Sequence, residues 1–324
     1  MRKWLGWFIG VVIGAGAGLS FYAHRVERAR VSLDRFAVPI DKPGIPEAGL
    51  TILHLSDFHF RVADPVQEVR LARLRGLLAG EHYDLVAFTG DLIHNRAGAS
   101  RALAFLAELH PLLGAFSVPG NRDYWESSFK AILPTSEERR NLSAVAWMRL
   151  TVRKVRRMVR MFAANQRAAL RFRTNDVPAV HEALRAQGIE PLVNRAVNIT
   201  GNGSNLWLAG VDDLTQGRPD LASALALVPQ DAPLVLLAHN PDIWLDEGAG
   251  RADLILSGHT HGGQLRLPLL GAWYRQGTHL SRRQAAGWFE GDGRRMFVSR
   301  GLGESFPFRL GAPPQAALIR LFRA

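Results

Sequence analysis

The sequence predicts an α/β protein with its functional site at the carboxyl ends of buried strands, and three observations carry that prediction. Five short apolar runs, LTILHLSDFH (50–59), YDLVAFTGDL (83–92), GAFSVPGNRD (114–123), PLVLLAHNPD (233–242) and ADLILSGHTH (252–261), each end in a polar cluster. Unbroken apolar runs of this length are the pattern of strands buried on both faces. Helical stretches such as QEVRLARLRGLLAG (67–80) lie between them, as strand–helix–strand units require. The usage is also globular: 324 residues, 47% hydrophobic and 21% charged, enough for one large domain or one domain with an insertion.

Two compositional facts limit the chemistry. The formal charge of +11 points to an acidic partner such as phospholipid headgroups, nucleotides or nucleic acid. The chain has no cysteine, which excludes disulfides and thiolate ligands and leaves any metal to His, Asp, Glu or Asn.

The first element is apolar. Residues Trp4 to Ala23 carry no charge, and twenty residues extend about 30 Å as a helix, the depth of a bilayer core. Residues 1–24 are therefore expected to be a single-pass membrane anchor. A cleaved signal peptide is the rival, since Ala15 and Ala17 are small, but the apolar stretch exceeds a usual signal core. Arg2 and Lys3 precede the stretch, while Arg25, Arg28, Arg30 and Arg35 follow it, so the bulk of the chain is expected on the cytoplasmic side of the inner membrane. Gly6, Gly10, Gly14 and Gly18 would line one helical face, which would let two spans approach as a homodimer. Residues 25–49 read as a linker.

The polar endings of the five runs supply Asp57, His59, Asp91, Asn121, His239, His259 and His261. Taken singly, an Asp or Asn after a strand is a turn former or cap, and a lone His is an ordinary residue. Taken together, they fall at one topological place and provide enough oxygen and imidazole donors for two divalent cations sharing a carboxylate. The donor set suits manganese, iron or zinc.

In that order, DFH, GDL, GNRD, AHNPD and GHTHGGQ resemble the calcineurin-like metallophosphoesterases, whose pattern is D-x-H, G-D, G-N-H-[DE], H and G-H-x-H. The tail FVSRGLGESFPFRLGAPPQAALIRL (297–321) is similar to the membrane-associated bacterial branch of that family. The resemblance implies a four-layer α/β/β/α sandwich over residues 50–324. It assigns Asp57, His59 and His261 to one metal, Asn121, His239 and His259 to the other, and Asp91 to both. It also explains the paired histidines of GHTHGGQ, which would point at neighbouring ions while Gly258, Gly262 and Gly263 allow turns that a Cβ would block. The two ions would neutralise phosphoryl oxygens and activate a water for in-line attack.

One position departs from the pattern. Gly120, Asn121, Arg122 and Asp123 stand where the family has G-N-H-[DE], so the histidine that commonly protonates the leaving oxygen is replaced. Arginine cannot deprotonate in a protein but grips phosphate with two donors. A leaving phosphate, with a second pKa near 6, departs without a proton, whereas an alkoxide does not. Arg122 thus favours a pyrophosphate or activated phosphodiester, with Asn121, Arg122 and Asp123 as the catalytic loop and Asp123 orienting the guanidinium. The same G-N-R-D reading resembles the UDP-2,3-diacylglucosamine pyrophosphatases of lipid A synthesis. That implies a nucleotide-lipid or other phosphorylated lipid as substrate. A broad phosphodiesterase, a phospholipid phosphatase and a non-catalytic metal-binding scaffold are the alternatives.

Residues 125–176 read as an inserted helical lid. From Trp147 to Arg173 there are nine Lys or Arg and no acid, and Met148, Val152, Val155, Val159 and Phe162 recur at helical spacing. A basic amphipathic helix can lie on an anionic leaflet, close over acyl chains, or pack on the core with a solvated basic face. Aromatic residues are not interleaved with these arginines, so nucleic acid is not expected as a partner.

Overall fold

The computed structural model describes residues 14–61, 64–94, 98–127, 136–163, 171–291 and 293–323. All five apolar runs contain strands: β2 (Leu50–Leu55), β3 (Leu85–Thr89), β4 (Gly114–Val118), β10 (Leu234–Leu237) and β11 (Leu254–Ser257). They divide between two six-stranded sheets. In spatial order the first is β1 (Ser32–Pro39), β16 (Gln315–Phe322), β2, β3, β4 and β7 (Ile189–Pro191). The second is β14 (Gly287–Gly291), β15 (Arg294–Val298), β11, β10, β9 (Ser204–Gly210) and β8 (Arg195–Gly201). Two small pairs complete the strands, β5 (Trp125–Ser127) with β6 (Arg171–Thr174) and β12 (Arg266–Leu267) with β13 (Gly271–Ala272).

The period-two geometry of a strand explains why both faces are apolar. Leu50, Ile52, Leu85, Ala87, Phe116 and Val118 turn inward to meet Leu208, Val235, Leu237, Leu254, Leu256 and Phe297 of the second sheet. Their neighbours Leu53, Leu55, Val86 and Phe88 turn outward, under Leu71 and Leu74 of helix Pro65–Leu78 and Phe105 of helix Ala99–Leu106. On the far side Leu234, Leu236 and Ile255 meet Leu221 and Ala224 of helix Leu221–Leu225 and Ile243 of a 3-10 turn. Three cores thus separate four layers, helices outside and sheets within. Helix Pro65–Leu78 starts where chemistry requires it, with Pro65 in the first turn and Asp64 accepting the Val66 and Gln67 amides at 3.0 and 3.4 Å.

β2, β3 and β4 are parallel, and so are β9, β10, β11 and β15. Each sheet therefore gathers several carboxyl ends along one edge.

Two expectations change, and a third falls largely on residues that are not described. Residues 25–49 include β1, which pairs in parallel with β16 from Ser32↔Gln315 to Pro39↔Phe322, so this stretch is sheet and not a free linker. Its apolar Leu33 and Val38 are buried, and the gain from that burial outweighs the freedom of an open chain. The basic helix spans Ala144–Ala163, and Arg171–Thr174 instead forms β6, which closes the base of the insertion against β5. The expected anchor falls largely outside the described residues. Among the described residues no helix is long and apolar enough to cross a membrane.

Residues 22–29 dock on the 300–312 loop. The Arg309 amide donates to Ala23 O at 3.1 Å, and Glu27 accepts the Ala312 amide at 2.7 Å. At the centre lies buried Glu304, which accepts Arg28 Nε at 2.8 Å and Arg70 at 2.6 Å. Burial would raise its pKa, but Arg70, Arg28, Arg309 and Arg61 outweigh that and hold it at about 2. Glu304→Gln leaves these buried guanidinium groups uncompensated and should cost on the order of 3–5 kcal/mol. The carboxylate's contribution is complete above its ordinary pKa of 4.5 and lost as pH falls towards about 2. Denaturant titrations should therefore show a wide gap between the two proteins at neutral pH and a narrower one in acid. A constant gap would contradict this electrostatic origin.

Candidate metal centre

The backbone aims five of the seven residues before their side chains are considered. Asp57, His59, Asp91, His259 and His261 have φ values of 53°, 48°, 54°, 68° and 52°, the left-handed region that costs a non-glycine residue on the order of 1–3 kcal/mol. The chain holds them there by continuing sheet pairing past the strands. The Asp57, His59 and Phe60 amides donate to Gly90 O, Asp91 O and Leu92 O, each at 3.0 Å, and Gly258 N donates to His239 O at 3.0 Å. Gly258, Gly262 and Gly263 were expected to allow close turns, and Gly262 and Gly263 have φ of 64° and 83°. At Gly258 the constraint is space, because a Cβ would collide with Ser56 Oγ and Asp57 Oδ2. Gly258→Ala should thus weaken metal binding by roughly tenfold or more through displacement of Asp57, read as metal retained after dialysis. Full retention would show that Ser56 yields without moving Asp57.

The side chains form two groups on either side of one carboxylate. His59 Nε2 is 3.1 Å from His261 Nε2 and 3.4 Å from Asp91 Oδ2, and His261 Nε2 is 3.5 Å from Asp57 Oδ1. Across Asp91, the other oxygen, Oδ1, is 3.4 Å from His239 Nε2. His239 Nε2 is in turn 3.1 Å from His259 Nδ1 and 3.3 Å from Asn121 Oδ1. Ligand bonds of about 2.0–2.2 Å place neighbouring donors about 2.8–3.6 Å apart in octahedral or tetrahedral geometry. Every separation above falls in that interval. Asp57, His59, Asp91 and His261 bring donor atoms within 4.8 Å of one another, all buried, and Asp57 Oδ1 accepts no hydrogen bond. The residues fit divalent cations.

Hydrogen bonds behind the site select which ring nitrogen faces inward. His239 Nδ1 meets Thr89 O at 2.7 Å, His261 Nδ1 meets Gly303 O at 3.1 Å, and His259 Nε2 meets Gln276 O at 3.1 Å. A carbonyl can only accept, so each of those nitrogens carries a proton and the other ring nitrogen is the one turned to the cluster. Asp57 Oδ2 accepts Ser56 Oγ at 2.6 Å and the His259 amide at 3.0 Å, which leaves Oδ1 for the cluster.

Electrostatics agrees with this donor set. Burial drives His59 and His261 well below the usual imidazole range, so both are neutral and able to bind metal. Burial pushes Asp57 up to about 6. Burial would also depress His239, but Asp91, Asp57 and Asp213 outweigh it and raise it to about 9. The clustered carboxylates demand positive charge at their centre.

The Arg122 loop lies beside the His59 group. Arg122 donates its amide to Asp91 Oδ1 at 2.7 Å, and its buried guanidinium sits over the Trp125 ring, 4.3 Å from the centroid. Its charge contributes to the lowered pKa values of His59 and His94. Asp123, expected to orient that guanidinium, uses its carboxylate to hold backbone. Oδ2 accepts the Gly120 and Asp91 amides at 2.9 and 3.0 Å, and Oδ1 accepts the Leu92 amide at 3.1 Å. His94 was not singled out from the sequence, yet its ring lies 6.1 Å from that of His59. Its one sequence signal, a position three residues after Asp91, is too common to have found it.

The chain matches the calcineurin-like phosphoesterase family over residues 50–263 and belongs to it. Its relatives in that family include proteins named phosphodiesterase and pyrophosphatase. Phosphodiesterase YaeI of Escherichia coli is 35% identical over 147 residues, which cover 44% of this chain and 51% of that protein, about half its length. The UDP-2,3-diacylglucosamine pyrophosphatase LpxG of Chlamydia trachomatis is 24% identical over 84% of this chain and 83% of that protein. An uncharacterized metallophosphoesterase of Aquifex aeolicus is 25% identical over 97% of this chain and 98% of that protein.

Proposed function

We propose that this chain is a membrane-anchored, dinuclear pyrophosphatase that cleaves UDP-2,3-diacylglucosamine or a close nucleotide-lipid. Asp57, His59 and His261 would hold one divalent ion, Asn121, His239 and His259 the other, with Asp91 available to both. When bound, the ions would neutralise charge on the phosphoryl oxygens and acidify an attacking water. The chain's own contribution is to fix the imidazole tautomers, exclude solvent from the donors and place Arg122.

The observation that carries the substrate reading is Arg122, buried beside the His59 group where the family pattern has a histidine. A guanidinium there binds a second phosphate and cannot donate a proton to an alkoxide, so the departing group is best a phosphate. The extended similarity to LpxG supports the same reading. So does the inserted helix. Val145, Met148, Val152 and Val155 lie along one face of it and are all exposed, which speaks against packing on the core and suits a lid over acyl chains. We place the protein in the inner membrane, anchored by residues 1–24, with its catalytic domain in the cytoplasm. Close approach of two such anchors would give a homodimer.

The test is incubation of purified protein and manganese with UDP-2,3-diacylglucosamine, with products identified by mass. UMP and the diacylglucosamine 1-phosphate are expected. The second reading, a broad phosphodiesterase, is favoured by the higher identity to YaeI. Turnover of simple diesters with the nucleotide-lipid left intact would establish it over the first.

A further inference from the structure

The loop carrying His259 and His261 runs on into a hairpin that the metal centre does not use. β12 and β13 pair through Arg266↔Ala272 and Leu267↔Gly271. The turn between them holds Leu269 and Leu270 out at 94% and 62% exposure, with Trp273 beside them at 61%. Leu269 has a φ of 65°, so the chain accepts backbone strain in order to expose it. Such a cluster on a protein surface marks a contact site. The stretch of chain that carries it is basic: from His259 to Phe289 there is no acid, while Arg266, Arg275, Arg282 and Arg283 are present, the last three exposed, and Asp242 reaches this stretch at His279, 2.9 Å away.

This hairpin is structurally continuous with the N-terminal segment. Trp273 N donates to Leu265 O at 2.7 Å, Arg266 N to Leu310 O at 2.8 Å, and Leu310 N to Gln264 O at 2.8 Å. The adjacent Arg309 N reaches Ala23 O at 3.1 Å, and the His24 ring meets Phe308 edge-on at 5.3 Å. Just before Ala23, Leu19 and Phe21 are exposed. Because residues 22–29 are docked on the domain, an anchor preceding them has no free linker, and the surface beside it is carried to the bilayer with it.

We propose that the Pro268–Trp273 turn is a second membrane contact, which dips Leu269, Leu270 and Trp273 into the interfacial layer of an anionic leaflet while the flanking arginines meet lipid phosphates. Tryptophan and leucine beside arginine are the chemistry of such contacts. The loop bearing His259 and His261 would then lie next to the headgroups, where a phosphorylated lipid is presented. This surface rests on the membrane reading of the preceding subsection.

The absence of native cysteine allows a direct test in the full chain. Leu269→Cys, labelled with an environment-sensitive fluorophore, is compared with Leu112→Cys, an exposed position just ahead of β4 at the opposite ends of the strands. Both are reconstituted into phosphatidylcholine–phosphatidylglycerol vesicles carrying nitroxide lipid. The label at position 269 should be quenched about threefold or more relative to that at 112, and Arg282→Glu with Arg283→Glu should roughly halve the effect without preventing vesicle flotation. Equal quenching at the two positions, or a disulfide-linked dimer of unlabelled Leu269→Cys protein, which would assign the hairpin to a second copy, overturns the proposal. Failure of the protein to float with vesicles overturns the anchor as well. Activity plays no part in any of these readouts.

Discussion

Asp91→Ala is expected to lower turnover by roughly a thousandfold or more, equivalent to about 4 kcal/mol of lost transition-state stabilisation. Asp91 Oδ2 stands 3.4 Å from His59 Nε2 and Oδ1 3.4 Å from His239 Nε2, so the one side chain serves both donor groups. Oδ1 also accepts the Arg122 amide at 2.7 Å. The substitution therefore removes the shared ligand and a tether of the Arg122 loop together. Asn121→Ala, which deletes a donor from one group only, should be milder. Turnover and metal content measured side by side decide the matter. Near-normal activity in Asp91→Ala, or an equal loss in both variants, would be incompatible with a shared carboxylate.

Arg122 should separate substrates and leave metal binding alone. Arg122→Ala is expected to retain metal yet lose roughly a hundredfold in activity on a pyrophosphate, about 3 kcal/mol. Its amide contact with Asp91 belongs to the backbone and survives the change, so the loss would report on the guanidinium. Arg122→His restores a possible general acid and should shift the activity ratio towards esters with poor alkoxide leaving groups. The informative quantity is kcat/KM for each substrate class. An unchanged ratio would remove the link between this arginine and a phosphate leaving group, and with it most of the preference for a nucleotide-lipid over a simple diester.

The five apolar runs and their polar endings were readable because a strand buried on both faces must be continuously apolar, and the first polar residue marks its exit. That logic also led to the polar residues that gather at the site, since the exits of parallel strands lie at one edge. It could not show that β2, β3 and β4 belong to one sheet and β10 and β11 to another. Sheet partnership between segments far apart in sequence is decided by packing of side chains. The boundary errors have the same source: β1 lacks an unbroken apolar run because only part of it is buried, and β6 is defined by its partner β5.

The sequence by itself pointed to the α/β class, to the seven Asp, Asn and His side chains that gather at one place, and to Arg122 as the departure from the family pattern, because each depends on residue type and order. Tertiary structure alone decided how these side chains face one another. The two oxygens of Asp91 face different imidazoles, the ring tautomers are set by Thr89 O, Gly303 O and Gln276 O, and Asp123 holds the Gly120 and Asp91 amides. The Glu304 cluster, which ties Arg28 and Arg70 to the loop behind His261, was equally invisible beforehand. The physical reason is that hydrogen bonds and ion pairs act over about 3 Å, whereas all these partners except Asp123 and Gly120 lie between 17 and 276 residues apart, and only the folded chain brings them within that range.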